Sequence, residues 1–243
     1  MPIVFLFGGR GSVVHTGAKM LVQALLTINA MRAQIALPYR MQGQYLIGDE
    51  KSTIQVESFV DPFCGDARSE YFMWKGLKAK LNPGDVGVSF KIIVEPFHPW
   101  SFTASVGAYT CAAFGGSDAF FSYAEAMWVN AGDFVTQWGS DSYALQNLTE
   151  ATAVAKMAGF AETAAGVSQA DFYHGMTNRS TGGGTNPWGV AREMWKQAVA
   201  RGAASSPWYY VNGVPFFAAC DSQHQGEDGW TDLLDKLLAK QRQ

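Results

Sequence analysis

A strand–helix–strand unit between residues 53 and 97 constrains the fold of this chain more than any other feature. The segments "TIQVESFV" and "VGVSFKIIVEPF" both have the β-branched, apolar character of buried strands. Between them, apolar residues recur at three- and four-residue intervals, as on one face of a helix: Tyr71, Trp74, Leu77 and Leu81. Two strands joined in this way normally lie parallel in one sheet, with a right-handed crossover. We therefore expect an α/β fold.

The segment that leads into this unit has the pattern of a hairpin. A short apolar run follows Gly43, and the polar residues Asp49–Ser52 separate it from the strand that begins at Thr53. Polar residues between two strand patterns are typical of a tight connection. We predict that the two strands pair with each other.

Helices dominate the middle of the chain. From about residue 100 to about residue 200 the sequence loses its β-branched runs and gains Ala-rich segments such as "SFTASVGAYTCAAF" and "ATAVAKMAGF". The last of these helices begins at Pro187 and ends before Gly202, the usual positions of proline and glycine at helix ends. After it, two apolar runs flank Asn212-Gly213, a strong hairpin signal, and a final amphipathic helix ends the chain. The pattern indicates an all-helical insertion in an α/β domain.

Composition excludes several classes of partner. The formal net charge is -3, and the Lys and Arg residues are dispersed, so no basic stripe is available for nucleic acid. Apolar runs are too short and too interrupted to span a membrane. The three cysteines, Cys64, Cys111 and Cys220, match no zinc spacing and allow at most one disulfide. The polar cluster Asp221, His224, Glu227 and Asp228 also lacks metal-ligand spacing, so we predict no metal site.

The N-terminal segment leaves the compartment open. The first 48 residues contain four basic residues and no acidic one, as in an organelle-targeting presequence of the mitochondrial type. A secretory signal and an ordinary folded segment are the alternatives. We treat residues 1–42 as an N-terminal extension, a targeting segment or its relic, and residues 43–243 as the folded domain.

Two motifs resemble the DsbA-like family of thioredoxin-fold proteins: "FVDPFCGDAR" and "ASSPWYYVNGVPFF". The resemblance covers roughly Gly43 to Lys240 and implies a thioredoxin-like sheet with a helical insertion. It places Cys64 at the redox position. It also implies a cis peptide bond between Ser206 and Pro207, whose backbone would face the cysteine and pair with an extended substrate. By the same resemblance, His98 in "EPFHPWSF" borders this groove, and Phe63 is assigned to it.

The position of Cys64 suggests a reactive thiol, but the motif lacks its partner. A cysteine at a helix N-terminus meets unpaired N–H groups and the positive end of the helix dipole, which lower its pKa. Asp61 and Asp66 would oppose this effect if they pointed toward the sulfur. Position 67 is Ala where the family has a resolving cysteine, so the two-cysteine cycle would stall at a mixed disulfide. Cys64 as a small buried residue that caps the helix is the structural alternative.

Two functions are compatible with these residues. The first is a redox-degenerate binding protein, or a stable subunit of a larger assembly, that holds a protein partner in the groove near Cys64 and Pro207. The alternative is a monothiol thiol-disulfide oxidoreductase or a glutathione-dependent enzyme with Cys64 as nucleophile and His98 as a possible base. Glutathione is a possible small-molecule partner for this second function, and we predict no other cofactor.

Overall fold

The computed structural model describes residues 43–134, 148–178, 186–216 and 226–241. These ranges contain five strands and six α-helices. In chain order the elements are β1 Gln44–Ile47, β2 Ile54–Val60, α1 Gly65–Leu77, β3 Val86–Ile92, α2 Ser101–Val129, α3 Glu150–Ala165, α4 Gln169–Thr177, α5 Pro187–Ala200, β4 Trp208–Val211, β5 Val214–Pro215 and α6 Glu227–Gln241.

The five strands form one mixed sheet in the order β1-β3-β2-β4-β5. Strands β2 and β3 are parallel from Ile54 opposite Val86 to Val60 opposite Ile92, as the strand–helix–strand pattern predicted. Strand β4 lies antiparallel on the other side of β2 and forms a hairpin with β5 through Asn212 and Gly213, both at positive φ. Positive φ at two successive positions suits the Asn-Gly pair.

The predicted hairpin at the start of the domain is wrong. Strand β1 pairs antiparallel with β3, so β1 and β2 lie on opposite sides of β3. The polar residues Asp49–Ser52 therefore link β1 to β2, two strands that are separated by β3, and do not form a tight turn between paired strands. The Ser52 hydroxyl anchors this connection by donating to the Pro83 carbonyl at 2.6 Å.

Aromatic side chains join helices α1 and α6 to each other and to the sheet. Trp74 of α1 packs on Trp230 of α6 with ring centroids 4.7 Å apart, and Trp230 packs in turn on Tyr209 of β4 at 5.0 Å. All three side chains are fully buried. Aromatic pairs of this kind contribute about 0.5–1.5 kcal/mol beyond their buried area, so the C-terminal helix is firmly anchored to the domain.

The helical segment from Ser101 to Ala200 contains α2 to α5. Gly116, at φ 73°, breaks α2 into two parts, where the sequence has the pair Gly115-Gly116 between two Ala-rich runs. Side-chain oxygens of Thr149, Ser168 and Asn186 cap the following three helices. The α/β fold class and the helical insertion are thus confirmed. None of the described helices combines the length and apolar character needed to cross a bilayer.

Several predictions concern residues outside the described ranges. The N-terminal extension 1–42 is one, and Cys220, Asp221 and His224 are others. These remain predictions. Glu227 and Asp228 are described and lie in the exposed first turn of α6.

Candidate functional site

The two parallel strands end in nearly the same tetrapeptide, and this brings two acidic residues together. Strand β2 runs into Val60-Asp61-Pro62-Phe63, and β3 runs into Val94-Glu95-Pro96-Phe97. Parallel strands place their carboxyl ends at one edge of the sheet, where open α/β sheets bind ligands. The repeated acid–Pro pair was the sequence signal for this cluster, and our sequence reasoning did not use it.

Asp61 is a fully buried carboxylate that accepts four hydrogen bonds. Its Oδ1 accepts from the Phe63 N–H at 2.8 Å, from the Ser101 hydroxyl at 2.7 Å and from His98 Nδ1 at 2.9 Å. We place the imidazole proton on Nδ1 because an ionised carboxylate can only accept. Its Oδ2 accepts from the Glu95 N–H at 2.7 Å. Asp61 therefore ties the end of β2 to the loop after β3 and to the start of α2.

Cys64 is the residue that precedes α1, as the sequence predicted, but its side chain is buried. Only 7% of the residue is exposed. The thiol donates to the backbone carbonyl of Ser206, with 3.1 Å between Sγ and O. A thiol that donates a hydrogen bond is in its protonated form, which is the opposite of a nucleophile prepared by the helix N-terminus.

The expected lowering of the Cys64 pKa is wrong. Burial, together with the negative charges of Glu95 and Asp61, raises the pKa of this thiol to about 12. Hydrogen bonds from the Ala67 N–H and the Ser206 hydroxyl act in the other direction without cancelling the effect of burial. Asp66, which would have opposed the thiolate only if it pointed toward the sulfur, is exposed in the first turn of α1. Glu95 takes its place beside the sulfur.

Ser206 lies at the centre of the site. The peptide bond between Ser206 and Pro207 is cis. The Ser206 hydroxyl accepts from the Asp61 N–H at 2.7 Å. The backbone N–H of Ser206 donates to Glu95 Oε1 at 3.3 Å, and the backbone carbonyl of Ser206 accepts from the Cys64 thiol. The loop before β4 is thus held against the ends of β2 and β3.

Of the residues assigned to a groove, two are buried in ways that the sequence did not predict. Phe63 is fully buried and packs on Phe134, with ring centroids 5.3 Å apart, so it belongs to the core and does not line a surface. His98 is buried against Asp61 and lies 3.6 Å from Glu95 Oε2. Its Nδ1 contacts favour an anchoring role over that of a base. Phe97, in contrast, is 51% exposed beside them.

The cluster of Asp61, Glu95 and His98 is the one group of potential metal ligands among the described residues. It fits a metal poorly, because Asp61 already accepts four hydrogen bonds and a carboxylate offers about four lone-pair sites. Cys111, on α2, is fully buried, and burial raises its pKa to about 12 as well. Neither Cys111 nor this cluster supplies an evident reactive group at the site.

The stability of the domain is expected to depend on pH through two buried acids. Burial raises the pKa of Glu95 and that of Glu70, which accepts from the Tyr209 hydroxyl, from 4.5 to about 7. Both groups bind a proton more tightly in the folded chain, so their contribution is complete below pH 4.5 and is lost as the pH rises through 7. We expect a free energy of unfolding lower at pH 8 than at pH 5, by at most about 3 kcal/mol per group.

Urea denaturation at both pH values measures this difference. The double variant Glu70→Gln with Glu95→Gln should lose most of it. Equal stability of the unmodified protein at pH 5 and pH 8 would contradict the assignment of these two groups.

Comparison with known proteins identifies the fold. No protein-family model and no curated protein matches the sequence. Solved structures do match. Chlamydia trachomatis DsbA superposes with a TM-score of 0.62 at 11% identity, covering 85% of this chain and 96% of its own. The thiol-disulfide exchange protein alpha-DsbA2 from Wolbachia pipientis has a TM-score of 0.59 at 13% identity, covering 89% and 98%.

A putative protein-disulfide isomerase from Pseudomonas syringae is similar over 77% of this chain and 96% of its own, with 18% identity and a TM-score of 0.55. At such identities the likeness concerns architecture. Together with the sheet order, the helical segment and the loop at Ser206, it leads to one conclusion: the chain has the thioredoxin fold with the helical insertion of DsbA-type structures.

Proposed function

We propose that this protein binds an extended segment of a protein partner at the Ser206–Pro207 loop and that Cys64 acts as a structural thiol there. The observation that carries the proposal is the hydrogen bond from the buried Cys64 thiol to the Ser206 carbonyl. This bond fixes the partner-binding loop. It also requires the thiol proton, which Cys64 would have to lose to act as a nucleophile.

The residue at the resolving position supports a function without thiol exchange. Ala67 is fully buried and has no thiol to release a mixed disulfide. With the Cys64 pKa at about 12, the thiolate is a very small fraction of the population at neutral pH. Both steps of the two-cysteine cycle are therefore disfavoured.

The surface beside the loop is suited to a protein partner. Phe97 is half exposed, and its neighbours Pro96 and Pro99 are exposed as well. Apolar side chains grouped at the edge of a site favour contact with another protein. The similar structures include a putative protein-disulfide isomerase and a thiol-disulfide exchange protein, which agrees with a polypeptide partner. The same binding would suit a stable subunit of a larger assembly.

Binding of a cysteine-blocked extended chain tests the proposal. The probe is reduced, S-carboxymethylated insulin B chain, and calorimetry or fluorescence measures its dissociation constant at pH 8. Cys64→Ser should bind it as well as the unmodified protein, whereas Phe97→Ser should bind about tenfold more weakly. Phe114→Ser is the matched control, since Phe114 is 46% exposed on α2, and it should leave binding unchanged.

The enzymatic alternative makes the opposite prediction for Cys64. In this alternative Cys64 is a nucleophile, so it should form a mixed disulfide with oxidised glutathione. The contact between Cys64 and the Glu95 carboxyl favours the alternative, because Glu95 can accept the thiol proton. Mass spectrometry at pH 7 detects this adduct. Its formation at the rate of an exposed thiol would overturn the proposal.

A further inference from the structure

Both backbone hydrogen-bonding groups of Ser206 are already used within the chain. The N–H donates to Glu95 Oε1 at 3.3 Å, and the carbonyl accepts from the Cys64 thiol at 3.1 Å. An extended peptide that adds to this loop pairs through one backbone donor and one backbone acceptor. In this arrangement Glu95 and Cys64 together occupy the positions that such a peptide would take.

We propose that Glu95 is the positioning residue that decides whether the Ser206 backbone can pair with an extended peptide. The site is closed while the Glu95 side chain lies on the Ser206 N–H, and it opens when the carboxylate turns out to solvent. This inference rests on the proposed function and specifies its partner as a segment with free backbone donors and acceptors.

The local geometry allows this movement without a change in the fold. The Glu95 N–H is bonded to the buried Asp61 carboxylate at 2.7 Å, so the backbone of the loop stays in place. The Glu95 side chain is 12% exposed, and the next two residues, Pro96 and Phe97, are exposed. Rotation about side-chain bonds is therefore enough to bring the carboxylate to water. Asp61, fully buried and with four hydrogen bonds, has no such freedom.

The direction of the pH effect follows from the two states of Glu95. In the closed state burial and the nearby charge of Asp61 raise the pKa of Glu95 to about 7, and in the open state the group is solvated with an ordinary pKa near 4.5. The closed state thus binds the proton more tightly, and a rise in pH favours opening. The titratable groups that face Glu95 are Asp61 at the end of β2, His98 in the same loop and Cys64 at the start of α1.

Alkylation of Cys64 by iodoacetamide measures opening without any partner. Cys111 is replaced by alanine, because a buried hydroxyl would lack a partner, and Cys220 by serine. The rate is proportional to the open population and to the thiolate fraction. The open population rises about tenfold per pH unit only up to about pH 7, whereas the thiolate fraction rises about tenfold per pH unit over the whole range. We expect the logarithm of the rate to rise with a slope near two between pH 5 and 7 and near one above pH 7.

Three variants test whether the ionisation of Glu95 causes this pH dependence. Glu95→Gln keeps an acceptor for the Ser206 N–H but carries no ionisable group, so its slope should be near one throughout. Glu95→Ala removes the contact and should be labelled faster than the unmodified protein at pH 5.5, by about tenfold or more. Glu70→Gln is the control, because Glu70 has a similarly raised pKa elsewhere in the core, and it should retain the slope of two.

Two results would overturn the inference. One is a slope near one in the unmodified protein. The other is a slope near two that survives in Glu95→Gln, which would assign the ionisation to His98, Asp61 or Glu70. The proposed function fails separately: if the slopes are as expected but the carboxymethylated chain does not bind at pH 8, Glu95 opens the site for something other than an extended peptide.

Discussion

Replacement of Asp61 by asparagine is expected to lower the free energy of unfolding by about 3 kcal/mol. The carboxylate accepts from two backbone N–H groups, a hydroxyl and an imidazole, and it is fully buried. An asparagine side chain has one acceptor oxygen, and its amide nitrogen would face one of these donors. At least one buried donor is then left without a partner, and removing the charge weakens the remaining bonds.

Asp66→Asn is the matched control for this experiment. Asp66 lies five residues further along the same segment, exposed in the first turn of α1, where its interaction with the helix dipole is worth about 0.3–1 kcal/mol. Urea denaturation at pH 7 compares the two variants. A similar, small loss of stability in both would mean that Asp61 does not organise the loops around Cys64. A large loss confined to Asp61→Asn would agree with the structure.

Local patterns in the sequence were sufficient for most of the fold. The β2–α1–β3 unit and the hairpin at Asn212-Gly213 are encoded by residues that are close together in the chain, so periodicity and turn chemistry predict them. Strand β1 was recognised as a strand, but its partner was not. Pairing of Gln44–Ile47 with β3 instead of β2 depends on a contact some 40 residues away, for which the residues themselves contain no local signal.

The site shows the same division between local and distant effects. The place of Cys64 before a helix follows from the neighbouring residues, and so does the helix dipole that should lower its pKa. Burial depends on the whole domain, and Glu95 reaches the sulfur from the loop after β3. These distant contributions determine the direction of the pKa change. The sequence analysis assigned Phe63 to a groove, although its ring packs on Phe134, more than 70 residues later.

Replacement of Ala67 by cysteine is expected to introduce the dithiol chemistry that the natural sequence lacks. The Ala67 N–H lies within hydrogen-bonding reach of the Cys64 sulfur, so a thiol at this position begins close to its partner. We expect an intramolecular disulfide between Cys64 and the introduced thiol in air, and a rate of insulin reduction by dithiothreitol at least about tenfold above that of the unmodified protein. Because Ala67 is fully buried, the added sulfur should also cost about 1–3 kcal/mol in the reduced state.

Ala67→Ser is the control for this variant, since it adds similar volume without a thiol and should show no gain in activity. Mass spectrometry with and without reductant detects the disulfide. If Ala67→Cys remains a free dithiol under oxidising conditions, Ala67 does not occupy the resolving position, and the likeness to dithiol oxidoreductases would stop at the fold.

The reduction potential of the new disulfide then reports on the environment of Cys64. DsbA is a strong oxidant, at about −120 mV, because its reduced form is stabilised, whereas thioredoxin lies near about −270 mV. Here burial, Glu95 and Asp61 keep Cys64 protonated at pH 7, so the reduced form gains nothing from a stabilised thiolate. We expect equilibration with glutathione or dithiothreitol to place the potential near or below that of thioredoxin. A value close to that of DsbA would mean that the helix N-terminus outweighs burial at Cys64, and a reactive thiol would again be the better explanation of this site.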